Sequence, residues 1–235
     1  MSSPTVYLVS GANRGIGLAV VKALVSRSSD AIVFAGARNP TVAAELAELV
    51  QKFSGRVHIV KLTSCDKEDN NAAVKEIEKI EGRLDVVIAN AGISAYFGPA
   101  LTTPEDQLRE HFNINVVGTH ILFQATYPLL SKSTASPKFI PISSGAGSIT
   151  DGASMPVGMI AYGCSKAAEN YLARKLHFEH PELTVFAREH DPAMKSHPLI
   201  SPEKSATSIL DLVENSTREK DGGKFLNYDG TTWAW

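Results

Sequence analysis

Short apolar runs alternate with stretches of helical periodicity along almost the whole chain. Val6-Tyr-Leu-Val-Ser10 is the first run; it stops at a glycine and reads as a buried strand. Ile16, Ala19, Val20, Ala23 and Leu24 then repeat at helical spacing. Further strands are predicted over residues 31–37, 56–62, 84–90, 138–143, 184–187 and 224–227. Between them, Pro40 is predicted to open a helix with Val42, Leu46, Leu49, Val50 and Phe53 on one face. Asp66 is placed as the cap of a helix to about Ile80, and Thr103 as the cap of a long helix from Pro104 to about Leu130. A helix carrying Tyr162 runs to about His180, and Ser201-Pro202 starts the last one. Pro141 sits awkwardly in the fifth strand, because proline has no N–H for a ladder.

Strand–helix alternation of this kind predicts an α/β fold: a doubly wound parallel sheet of about seven strands with helices on both faces. No repeat, low-complexity tract or linker divides the chain, so residues 1–235 are read as a single domain carrying both cofactor and substrate sites. With 235 residues, 43% of them hydrophobic, the chain can bury one large core. A net charge of −2 argues against a nucleic-acid partner. No apolar run approaches the roughly 20 residues that cross a bilayer, so no membrane partner is expected. Met-Ser-Ser-Pro-Thr leads straight into the first strand with no basic-then-apolar segment, which argues against a secretion signal and for a cytoplasmic protein. The two cysteines, Cys65 and Cys164, form no metal-ligand spacing and read as free thiols; no metal is expected.

Two motifs bring in chemistry. Val9-Ser-Gly-Ala-Asn-Arg-Gly-Ile-Gly17 places Gly11, Gly15 and Gly17 between the first strand and the first helix. Gly11 permits a tight turn, Gly15 and Gly17 allow close approach, and the helix N-terminus offers N–H groups to a pyrophosphate. The second strand ends at Gly36-Ala-Arg38, where a dinucleotide enzyme commonly has a carboxylate for the ribose 2′-hydroxyl. Arg38, helped by Arg14, suits a 2′-phosphate instead, and this favours NADP(H) over NAD(H). Downstream, Tyr162 and Lys166 share a helix face. An ammonium beside a phenol lowers its pKa from about 10 and fits it for proton exchange with a carbonyl oxygen.

The Gly-x-x-x-Gly-x-Gly spacing, Asn90-Ala91-Gly92 after the fourth strand, Asn115 in the long helix, Ser143-Ser144 after the fifth strand and Tyr162-x-x-x-Lys166 together resemble the classical short-chain dehydrogenase/reductase family over nearly the whole chain. That resemblance implies a Rossmann fold and reduction of a carbonyl or ketone substrate. Tyr162 would be the general acid, Lys166 would hold the nicotinamide ribose and tune Tyr162, Ser144 would bond the substrate carbonyl, and Asn115 would help hold a relay water. Asn13, Ile16, Asn90, Ala91 and Gly92 join the glycines and arginines as cofactor-binding positions. The stretches Ser143–Gly152 and Gly223–Trp233 look like the branch with the sniffer-type carbonyl reductases and, closest, the fungal norsolorinic acid ketoreductases, which implies an aromatic or polyketide-like ketone. In this family the long helix and the Tyr162 helix form dimer faces, so a homodimer or homotetramer is implied; Leu122, Ala125, Ala168, Leu172 and Leu176 serve such a face or the sheet equally well.

Three features depart from the pattern. No Pro-Gly follows the sixth strand, and Ser196 stands in for the family's threonine. The segment before Ser201 is short for a lid, so either the site is open or lid residues are missing from the sequence. Leu62-Thr63 replaces the usual aspartate facing the adenine. Tyr96, Phe97, Met155 and Met159 fall near the expected pocket mouth, where they line an apolar substrate site or serve packing. His190 and His197 read as surface residues, and Cys164 has no catalytic role. The departures also suggest a second reading, a low-turnover NADP(H)-binding redox sensor or partner-binding protein.

Overall fold

The computed structural model describes residues 3–133, 136–189 and 200–235. Their strands are β1 (Thr5–Val9), β2 (Ala31–Ala37), β3 (Val57–Lys61), β4 (Val86–Ala89), β5 (Lys138–Ser143), β6 (Thr184–Val185), β7 (Ala187–Glu189) and β8 (Phe225–Leu226). The helices are α1 (Gly15–Arg27), α2 (Ala44–Lys52), α3 (Lys67–Glu81), α4 (Glu105–Phe112), α5 (Gly118–Leu130), α6 (Ile160–Glu179), α7 (Pro202–Asn215) and α8 (Arg218–Asp221). The sheet order is β3-β2-β1-β4-β5-β7-β8, with β6 also on β5, and every pair is parallel. The doubly wound α/β architecture is therefore as expected.

Alternation within β1 divides the core. Val6 and Leu8 face one apolar layer, while Tyr7 and Val9 face the other. The Tyr7 layer is closed by α1, α2 and α7 through residues such as Val21, Leu46 and Ile209. The Leu8 layer is closed by α3, α5 and α6 through Ile77, Leu122 and Leu176. Leu122, Leu172 and Leu176 thus serve the sheet. A sheet covered on both faces buries its strands entirely, which explains their unbroken apolar runs.

Local chemistry sets several boundaries. Asp66 accepts the N–H of Asp69 at 2.8 Å to start α3, and Gly82 ends it at φ 73°. Ser201 accepts the N–H of Lys204 at 3.2 Å and Pro202 takes the first turn of α7. Four expectations need correction. Residues 40–42 form a separate 3₁₀ turn, which leaves Val42 73% exposed rather than core-facing. Thr103 does not cap α4: its hydroxyl donates to the carbonyl of Pro99 at 3.0 Å, and Pro104 is itself the N-cap. The long helix contains a π-helical segment, Asn113–Val117. α7 is not the last helix, because Thr217 caps the short α8 after it.

Pro141 does lie in a central strand. It pairs with Ala89 of β4, and on its other side the ladder lapses between Phe139–Val185 and Ile142–Arg188. The missing N–H accounts for the division of the neighbouring strand into β6 and β7.

Candidate active site

The strand order reverses between β1 and β4, and the chain leaves both at their carboxyl ends. A cleft of about 930 Å³ opens there, the place where open parallel sheets bind ligands. Its walls include Gly11, Asn13, Arg14, Gly15 and Ile16 from the first turn, Arg38 after β2, and Asn90, Ala91 and Gly92 after β4. Tyr162 and Lys166 of α6 line the same cleft, so residues 150 positions apart in sequence meet in one space.

The turn is held from behind. Gly11 and Gly15 take positive φ, 64° and 56°. A Cβ on Gly17 would collide with the carbonyl of Gly11 and come within 2.6 Å of Asn90 Nδ2, so only glycine fits. Asn90 donates from Nδ2 to the carbonyls of Ser10 at 3.0 Å and Gly11 at 3.3 Å, and Ser10 Oγ accepts the N–H of Ala91 at 2.9 Å. Gly17, which is buried and not a wall residue of the cleft, and Asn90, which is one, therefore both shape the turn. At the start of α1 no side chain caps the free N–H groups and no acidic residue occupies the first turn, which leaves this end open to an anion. Arg14 and Arg38 are exposed and make no ion pair or side-chain hydrogen bond among the described residues.

The α6 side is more tightly wired. Lys166 Nζ donates to the carbonyl of Ile142 in β5 at 2.9 Å and to Glu169 Oε2 at 2.6 Å, both within the core. An ammonium has three donors, so one is uncommitted among the described residues. Glu169 is fully buried, and its Oε1 lies 2.9 Å from Thr119 Oγ1 of α5. Burial alone would push the Lys166 pKa down, but the charges of Glu169 and Tyr162 outweigh it and the net direction is up. Burial pushes Glu169 up against the opposing pull of Lys166.

Asn115 lies in the π-helical segment, behind the cleft. Its Oδ1 accepts the N–H of Ile93 at 2.8 Å, and its Nδ2 donates to the Ile93 carbonyl and to Ser165 Oγ, both at 2.9 Å. The side chain thus ties the loop after β4 to α6. Ser144 caps a 3₁₀ turn over Gly145–Gly147, its Oγ accepting the N–H of Ala146 at 3.2 Å. It is buried and lies two residues beyond Ile142 of the cleft wall, but it is not itself a wall residue of that cleft. Ser196, His190 and His197 lie outside the described residues. Met159 packs on Tyr162 and Ala146 with Met155 beside it, and both methionines also line a neighbouring apolar hollow of about 380 Å³. Phe97 is 56% exposed. Cys164 is exposed on the far side of α6 from the Tyr162 cleft, in the wall of the hollow. Among the described residues no cluster of three or more metal-ligating side chains exists, and no helix is long and apolar enough to cross a membrane.

Sequence reading missed Glu169, Thr119 and Ser165, although Glu169 stands only one turn after Lys166. It also missed the polar end of β7, where Arg188 and Glu189 are both buried. Arg188 reaches Ser208 Oγ at 2.9 Å, and burial lowers its pKa to about 10 against the opposing charge of Glu189. Glu189 Oε1 accepts the N–H of Gly145 at 3.1 Å, immediately after Ser144. Nothing in local spacing marks these residues as inward-facing.

Residues 5–197 match the family model for short chain dehydrogenases, and the chain belongs to that family. Among relatives, an uncharacterized oxidoreductase of Schizosaccharomyces pombe is 36% identical over 249 residues, covering 96% of this chain and 96% of that protein. The norsolorinic acid ketoreductase of Aspergillus parasiticus is 35% identical over 250 residues, covering 98% and 91%. Among solved structures, the NADPH-bound carbonyl reductase from chicken fatty liver superposes with a TM-score of 0.89 at 30% identity, covering both chains fully. The carbonyl reductase Sniffer of D. melanogaster does so at 0.88 and 25%, again over both full chains.

Proposed function

We propose that this chain is an NADP(H)-dependent reductase that converts a ketone to an alcohol, with Tyr162 giving a proton to the carbonyl oxygen. The observation that carries the reading is the meeting of Tyr162 and Lys166 with the Gly11–Ile16 turn in one cleft. The residues fit the cofactor: an uncapped helix N-terminus suits the pyrophosphate, and the exposed Arg14 and Arg38 suit a 2′-phosphate. When bound, NADPH supplies the hydride. Lys166, anchored on Ile142 and lining the cleft, would hold the nicotinamide ribose with its remaining N–H and favours charge on the Tyr162 oxygen. Ser144 would donate its hydroxyl hydrogen to the substrate carbonyl, since the bond from Ala146 uses only its oxygen as acceptor, and Asn115 ties the Ile93 loop to α6. The substrate is a ketone of apolar or aromatic character: relatives are named ketoreductases, and the hollow that Met159 shares with the Tyr162 surroundings is lined by Met155, Val157 and Ile160.

The test is NADPH consumption with a panel of aromatic ketones, for the wild type and Tyr162→Phe. Losing general-acid catalysis should lower kcat by about 10²–10⁴-fold while NADPH binding is kept. NADPH binding without turnover by the wild type on any ketone would instead favour a redox sensor.

A further inference from the structure

A buried carboxylate beside the lysine of this site has no place in the chemistry above. Glu169 is 0% exposed, and its two oxygens have different partners: Lys166 Nζ at 2.6 Å and Thr119 Oγ1 at 2.9 Å. Thr119 also lies 2.9 Å from the carbonyl of Asn115. One hydroxyl hydrogen cannot serve two acceptors at once, so Thr119 links Glu169 to the π-helical segment as a shared, switchable contact. Tyr162, Lys166 and Glu169 lie at successive turns of α6, and Lys166 Nζ stands 5.9 Å from the Tyr162 ring centroid.

Charge on the lysine is what makes a phenol acidic; a carboxylate against that lysine works the other way. Among the described residues, the titratable groups facing this cluster are few. From α6 come Tyr162, Lys166 and Glu169. From α4 comes His111, edge-on to Tyr162, with Nδ1 against the carbonyl of Gln107 at 2.7 Å and Nε2 accepting the N–H of Ala95 at 3.1 Å; this is the neutral imidazole's pattern. β5 contributes the carbonyl of Ile142, and α5 contributes only the Thr119 hydroxyl.

We propose that Glu169 is a positioning residue: its carboxylate holds the Lys166 ammonium against the Ile142 carbonyl and offsets that ammonium's field at Tyr162, which helps keep the phenol in its proton-donating form. The inference rests on the reading of Tyr162 as the proton donor.

The test compares pH profiles of alcohol oxidation with NADP⁺ and ketone reduction with NADPH for the wild type, Glu169→Gln and Tyr162→Phe. A unit charge two helical turns from the phenol, roughly 10 Å away in a medium of effective dielectric about 20, moves its titration by about one pH unit. Glu169→Gln should therefore shift the Tyr162-dependent limb of both profiles about one unit toward acid. An unmoved limb in a variant that still binds NADPH overturns the inference, as does a shift toward alkali. If Glu169→Gln does not fold, Glu169→Met removes the same charge with an apolar side chain of similar length. It should move the limb the same way by a similar amount, and an unmoved limb there also overturns the inference. Undiminished turnover by Tyr162→Phe would instead refute the underlying assignment of Tyr162, a distinct failure.

Discussion

The two walls of the cleft are made by different means. The β1–α1 wall is mostly backbone: glycines at positive φ, a helix end with free N–H groups, and Asn90 clamping the turn. The α6–β5 wall and the loop behind it rest on side-chain contacts, several of them between residues far apart in sequence. Lys166 depends on Glu169, Glu169 on Thr119, the Gly145 loop on Glu189, and Asp151 on the C-terminal Trp233, whose Nε1 donates to it at 2.8 Å. A wall of backbone responds to a change as a steric yes or no. A wall of side chains responds by degrees, through charge and packing. Substitutions on each wall separate these behaviours.

The largest effect is expected on the backbone wall. Gly17→Val places carbon atoms where the Gly11 carbonyl and Asn90 already stand, and a carbonyl of the main chain cannot move aside cheaply. NADPH affinity, read by fluorescence titration, should fall at least about 10³-fold, which corresponds to about 4 kcal/mol. Retained affinity within tenfold would mean that this wall is plastic, and the contrast between the walls would fail.

Arg38→Asp tests charge rather than shape on the same wall. Arg38 is exposed at the end of β2, so the fold should be untouched. Replacing a guanidinium by a carboxylate should shift the ratio of kcat/KM for NADPH over NADH by about 10²-fold toward NADH. A preference for NADPH that survives the reversal would show that Arg38 does not meet the 2′-phosphate.

On the other wall, Trp233 stacks on Phe225 at 6.0 Å between ring centroids and would touch any side chain grown on Gly145. Trp233→Ala should cost about 2–3 kcal/mol by denaturant unfolding, below the range for a fully buried tryptophan because Trp233 is only partly covered. It should also loosen the Ser144–Ser154 loop and raise KM for the ketone more than for NADPH. Equal changes in both KM values would remove the assignment of this tail to the carbonyl side.

The unequal legibility of the walls has the same origin. Glycine spacing after a strand is a local signal, because the turn it dictates is local. Gly11, Gly15 and Arg38 could therefore be assigned to the cofactor end from local placement, and the Asn90–Gly92 stretch from the family resemblance. The parallel, doubly wound sheet was legible for a similar reason, since strand–helix alternation leaves few connections open. Glu169, Arg188 and Glu189 gave no such signal. A charged residue in a helix or at a strand end is ordinarily solvated, and only the packing of α5, α7 and the C-terminal tail turns these inward. Ser144 is an intermediate case: its place after β5 was legible, but the turn of its hydroxyl into the 3₁₀ loop was not.

Alkaline pH provides the smallest effect and probes the core beneath the backbone wall. Tyr7 of β1 faces the layer covered by α1 and α7, and burial, with the nearby Glu214 and Asp85 charges, pushes its pKa from 10.0 to about 12. The unfolded chain gives up this proton near pH 10, but the folded chain holds it to about pH 12. Stability from Tyr7 is therefore fully present below pH 10 and is lost as pH rises toward 12. The loss at pH 11 should be about 1 kcal/mol. Tyr7→Phe removes the titrating group, so its unfolding free energy should fall less steeply between pH 10 and 11.5 than the wild type's, the window set by the raised value. Lys166, whose folded pKa is also raised, contributes stability that is present below 10.5 and lost above it, and it remains in the variant. The alkaline decline left in Tyr7→Phe thus includes the lysine wall, and the part removed belongs to the glycine wall. Parallel wild-type and Tyr7→Phe curves would mean that the Tyr7 phenol is not held in the protonated form by its surroundings.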